Sequence, residues 1–156
     1  MFDLIQTQQL LQEKQNLLLC FEEVTQNMLH CPTEELESQV QERQQIVHLV
    51  DALDEKMCAL CKDTPQGQAV LQALKGQCEP DKLPEEVLGI YDDAMRVRAI
   101  LSRLQESDIQ AALRLRVEQE RILDQIKATN QGLTAKAARF YSIADQRETP
   151  TKFGHA

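Results

Sequence analysis

Cysteine and histidine are the residue types with the most chemistry to offer here, so their spacing comes first. Cys58-Ala-Leu-Cys61 is a C-x-x-C pair, a spacing that elsewhere holds zinc or exchanges disulfides. Cys31, Cys78 and His30 are the other groups that could join it. A structural zinc site of this kind draws on two such pairs, and a second pair is missing. Cys58 and Cys61 also fall in a helical stripe beside Leu60, where a free cysteine behaves as a small hydrophobe. Packing is the reading of this pair, with metal binding or redox exchange as the alternative. The chain's 5 cysteines fit a reducing compartment better than a disulfide framework. Helical bundles can hold two metal ions through paired Glu-x-x-His motifs, but His30, His48 and His155 each lack a Glu three residues before them. No Gly-rich phosphate loop, no G-x-S-x-G and no Ser/His/Asp trio can be assembled. The residues indicate neither catalysis nor a cofactor nor a metal, which leaves binding.

The elements that would present a binding surface are helices. The 156 residues hold 4% aromatics, no Trp and 5 Gly, whereas sheets favour aromatic and β-branched residues. The expected fold class is all-α. No apolar run approaches the roughly 18 residues of a membrane span, and a helical pattern starts directly after Met1, so a cytosolic protein with an unprocessed N-terminus is expected.

The stretch from Leu83 to about Ile143 reads as one very long helix, with no proline after Pro84. Val87, Ile90, Ala94, Val97, Leu101 and Leu104, then, after a step of eight, Ala112, Leu115, Ile122, Ile126, Leu133 and Phe140, lie otherwise three, four or seven residues apart and form one narrow stripe. The stripe should shift by one position near Ala111 and Ala112, because about 3.6 residues per turn does not match a seven-residue repeat. Asp108 and Gln119 are polar residues in this seam; they either fix the register of a facing helix or mark solvent access at a loose crossing. At about 1.5 Å per residue the helix would run about 90 Å, as a spine for shorter helices or a rod that pairs with another chain.

Upstream, Phe2–His30 is helical, with Leu10, Leu17, Phe21, Val24 and Met28 in one stripe widened by Leu11 and Leu18. Pro32 ends it, Thr33 is placed to cap the next helix, and Leu36, Val40, Arg43, Val47, Val50, Leu53, Met57 and Leu60 form the following stripe. Two helices joined by so short a turn make an antiparallel hairpin. Pro65 opens a short helix faced by Val70, Leu71 and Leu74 and closed by Gly76; it should cap one end of the bundle. Gln77–Leu83 is a linker. Asn130-Gln131-Gly132 is a place for the long helix to fray or kink. The expected organisation is a helical bundle over 1–144, with the long helix at 84–144, and a disordered polar tail at 145–156.

Residues 1–64 carry 4 Lys and Arg against 12 Asp and Glu, which accounts for the whole net charge of −8. From Ile109 to Tyr141 the balance reverses. An acidic hairpin and a basic late helix would attract one another if packed side by side, and overall acidity without a basic, aromatic-interleaved stripe disfavours nucleic acid. Leu88, Ile100, Leu113 and Leu123 are apolar edge residues that a single seam leaves over. Either the shorter helices cover them as core, or they line a groove for a partner's amphipathic helix.

Three stretches resemble the FlgN-type flagellar export chaperones, small acidic helical proteins of bacterial flagellar secretion. "EELESQVQERQQIVHLVDAL" at Glu34–Leu53 is similar to that family's second helix, with its "xERxxLLxxLxxL" rhythm. "IKATNQGL" at Ile126–Leu133 looks like its late-helix asparagine segment, with Asn130 as the matching residue. The tail "TPTKFGHA" is similar to one ending in Thr-x-Tyr-Gly, here Thr151-Lys152-Phe153-Gly154. The chain departs from the pattern in having Phe153 where tyrosine is usual, and in the Pro65–Gly76 insert. The related FliT-type chaperones match the hairpin but have no final helix of this length.

The resemblance implies a cytosolic chaperone without ATPase activity. It would bind the C-terminal segment of hook–filament junction proteins and deliver them to the export gate. Leu115, Ile122, Ile126, Asn130, Leu133 and Phe140 would meet the client, and Phe153 the gate. A lone aromatic in a polar tail is otherwise incidental. The alternative function is a homodimeric coiled-coil scaffold or adaptor with no export client.

Overall fold

The computed structural model describes residues 2–147, and side chains for residues 2–140. All its regular elements are helical: α1 (Leu4–His30), α2 (Leu36–Cys61), α3 (Pro65–Lys75) and α4 (Glu85–Arg147), with short 3₁₀ turns at Thr33–Glu35 and Pro80–Lys82. The chain divides into two compact units, 1–114 and 115–156.

In the first unit α1 and α2 form the expected antiparallel hairpin, joined across the gap by Lys14 and Asp54 at 2.7 Å. α4 runs parallel to α1 at a constant offset of 81 residues. Glu22 meets Arg103 at 2.9 Å, Gln26 meets Ser107 at 3.3 Å, and Gln8 lies against Gly89. The core between the three helices holds Leu11, Leu18, Leu53, Met57, Val87, Ile90, Val97, Ile100 and Leu104. Burying each such side chain contributes about 1.5–3 kcal/mol.

The buried rows follow the seven-residue repeat more strictly than the apolar residues do. On α2 the inward positions are Leu36, Gln39, Arg43, Ile46, Val50, Leu53, Met57 and Leu60–Cys61, while Val40 and Val47, expected in the stripe, are exposed. On α4 Ile100 is 6% exposed and Leu101 is 40%, the reverse of the expected assignment. Ala111 is buried and Ala112 exposed, so the repeat passes unshifted through that point. On α1 the fully buried positions include Thr7 and Thr25. Their hydroxyls donate to the carbonyls of Asp3 (2.9 Å) and Phe21 (2.8 Å), which lets two polar residues occupy the core without an unmet bond.

Helix ends follow local chemistry. Asp3 caps α1 by accepting from the Gln6 amide. Thr33 does not cap α2: the chain enters that helix through the 3₁₀ turn, of which Thr33 is the first residue. Pro32, fixed in extended geometry, sets that entry. α3 has the expected bounds; Thr64 accepts from the Gly67 amide and Gly76 closes the helix at φ 64°. Gly67 is where α3 folds back on α2, so close that a Cβ would stand 2.3 Å from the Cys61 carbonyl oxygen. α3 thus sits at the end of the hairpin where α4 begins, with Gln66 bonded to Glu86.

α4 is helical through Asn130, Gln131 and Gly132, without the expected break, and continues to Arg147 rather than stopping at 144. Asp145–Arg147, expected in the tail, belongs to it. The remainder of the tail, with Phe153, lies outside the described residues.

Candidate functional site

The second unit holds the residues expected to meet a partner. Leu115, Ile122, Ile126, Leu133 and Phe140 are spaced by seven, four, seven and seven, so on a helix they share one face. Leu115 is half-buried, whereas Ile122, Ile126, Leu133 and Phe140 are 43%, 50%, 59% and 69% exposed. Exposure rises steadily along the stripe. Asn130 is exposed as well, on a neighbouring row; its carbonyl accepts from the Thr134 hydroxyl at 2.9 Å. Val117 and Leu123 flank the stripe and are exposed; Val117 was passed over by a reading tied to one seam. Glu118 and Arg121 pair along the helix at 2.8 Å, and within the row the apolar residues are interspersed with Gln119, Thr129 and Lys136. Such a face suits the apolar side of another helix.

In the first unit a groove of about 530 Å³ opens between the helices, lined by Leu18, Phe21, Ile46, Val50, Leu101 and Leu104. Arg43 stands at its edge, where its guanidinium bonds the Asp108 carboxylate, stacks 4.5 Å above the Phe21 ring and approaches the Met28 sulfur at 3.5 Å. Its Nε is buried without a partner. Asp108 thus bonds across to α2 while remaining solvent-exposed, and so has a feature of each of the two readings open to it. The sequence signal was already present, a charged residue at a seam position on each of two helices. Gln119, its polar counterpart further along, is exposed.

The C-x-x-C pair is split by the helix. Cys61 is fully buried and its thiol is pushed up to about 11, by burial first and by neighbouring Cys58 second. Cys58 is exposed, so only one of the pair belongs to the core. Among the described residues no three His, Cys, Asp or Glu side chains converge to hold a metal ion. His30 and His48 are exposed. Of the edge residues, Ile100 is core, Leu88 is half-buried, and Leu113 and Leu123 are exposed. Among the described residues no helix is long and apolar enough to cross a membrane.

Fold and site together define an all-helical bundle protein with a helix-borne apolar face. Comparison with family models, curated proteins and solved structures finds no match to this chain.

Proposed function

We propose that the protein is a cytosolic, non-enzymatic export chaperone that binds an amphipathic segment of its client along the late part of α4. The supporting observation is the stripe from Leu115 to Phe140, whose aliphatic and aromatic side chains share one face and are largely exposed. An apolar helix face lends a disordered client the surface it lacks. Ordering the client offsets a few kcal/mol of the contact energy, about 2–5, and keeps the complex reversible. The resemblance to FlgN-type chaperones supplies the client class, the C-terminal segment of hook–filament junction proteins. It also assigns Phe153 to docking at the export gate.

The test is calorimetric titration of the purified chain with such a C-terminal peptide, followed in parallel by circular dichroism. Binding should raise the helical signal above the sum of the parts. Leu133→Asp should abolish it, whereas Val47→Asp, on an exposed face of α2, should not. A peptide that neither binds nor gains helix would overturn the reading.

A further inference from the structure

We infer that Leu115–Phe140 also pairs with the same stretch of a second copy of this chain, antiparallel, about a two-fold axis between Lys127 and Ala128. The inference goes beyond the client-binding reading and does not depend on it. Its basis is the order of residues along the exposed face. The face reads Leu115, Gln119, Ile122, Ile126, Thr129, Leu133, Lys136, Phe140, with alternating steps of four and three that are the same in either direction. Reversed against itself, the row sets Leu115 opposite Phe140, Gln119 opposite Lys136, Ile122 opposite Leu133 and Ile126 opposite Thr129. Large apolar side chains meet large apolar ones, and the two most polar positions meet each other.

The parallel alternative would stack each residue on its own copy. Lys136 would then face Lys136 within the seam, a like-charge contact that costs energy. The flanks give the same answer. Residues 115–127 carry Glu118, Glu120 and Asp124 against Arg116, Arg121 and Lys127, whereas residues 128–140 carry Lys136 and Arg139 with no carboxylate. Antiparallel pairing sets the basic half against the half that holds all the carboxylates, with Glu118 near Arg139 of the other copy; parallel pairing stacks the basic half on itself. A lone helix with Asn130 and Gly132 in its interior gains little from propensity, so the exposed face is where stabilisation is available. An interface of this kind is isologous and closes at two copies, without building filaments.

The experiment uses the full chain with Cys20, Cys31, Cys58 and Cys78 replaced by Ser, under mild oxidation. Ile122→Cys combined with Leu133→Cys should form a covalent dimer, and neither single variant should. Sedimentation equilibrium on the unmodified chain should show dimers. Glu118→Arg and Arg139→Glu should each weaken association several-fold, and the two together should restore it. A monomer at all concentrations, cross-linking by either single variant, or failure of the double charge reversal to recover association would each overturn the inference. None of these readouts involves client peptide, so the outcome is independent of the titration above.

Discussion

Arg114 on α4 donates through Nη1 to the main-chain carbonyl of Met28, 2.5 Å away, in the last turn of α1. Its other terminal nitrogen donates to the carbonyl of Cys31, just beyond the helix. One guanidinium thus satisfies carbonyls that a helix end leaves without intrahelical partners, and its charge suits the negative end of the helix dipole. Arg114→Met keeps much of the bulk and removes the bonds. It should lower unfolding free energy by about 1.5–3 kcal/mol, measured in urea, with faster amide exchange concentrated in the last turn of α1.

The pair formed by Arg43 and Asp108 should behave differently from its two partners taken singly. Asp108 is half solvated, so a double-mutant cycle between Arg43→Ala and Asp108→Ala should yield a coupling of about 1 kcal/mol or less. Arg43→Ala alone should cost more, about 1–3 kcal/mol, because the stem and the stacking on Phe21 are lost as well. Arg43→Met, which keeps an apolar stem, should recover a large part of that loss. A coupling equal to the whole cost of Arg43→Ala would show that packing contributes nothing.

Two glycines in helices should respond to alanine in opposite directions. At Gly67 the new methyl meets the Cys61 backbone and has nowhere to go, so α3 must lift from α2. The expected loss is about 1–3 kcal/mol. At Gly132 there is nothing within 4 Å, and alanine should add about 0.5–1 kcal/mol of local helix stability. Circular dichroism melts of the two variants check both signs.

Cys61 should impose an alkaline limit on stability. Its folded pKa, about 11, is above the ordinary thiol value of 9.0, so the contribution is fully present below pH 9 and is lost as pH rises through 11. Urea midpoints should fall across that window in the native chain, and Cys61→Ala should flatten this part of the profile. In the folded state a thiol reagent near neutral pH should modify Cys58 quickly and reach Cys61 only on unfolding.

Much of this architecture was legible in the sequence, and the misses have two causes. Proline, glycine and the breaks in apolar period located all four helices, and α3 to the residue. The inward rows were misassigned where a polar residue holds a seam position or where two apolar residues stand side by side. On α2 the polar Gln39 holds the inward position expected for Val40, and on α1 Thr7 and Thr25 do the same unmarked by any apolar signal. At Ile46–Val47 on α2 and Ile100–Leu101 on α4 two adjacent apolar residues compete for one row, and the pattern does not choose between them. Strict heptad counting finds Arg43, but only the fold shows that Asp108 is its partner. Of the residues proposed for partner contact, Leu115, Ile122, Ile126, Leu133 and Phe140 share one face of α4, Asn130 lies on a neighbouring row, and Phe153 is outside the described residues. Sequence alone could not separate them from Val87–Ala111, because both stretches carry the same apolar period; burial under α1 and α2 distinguishes the earlier stretch.

The constant offset of 81 residues between α1 and α4 holds from Gln8–Gly89 through Glu22–Arg103 to Gln26–Ser107. Two helices locked at three successive levels cannot absorb an arbitrary change of length. Adding one residue to either helix within this span would turn everything beyond it by about 100° and swing its buried row toward solvent. Seven residues, close to two turns, is the shortest change that nearly returns the side chains to their rows, and it keeps the offset only if made in both helices together. The linker between α3 and α4 carries no such periodic restriction. Length in this chain is loosest in the linker before α4 and quantised within the helices.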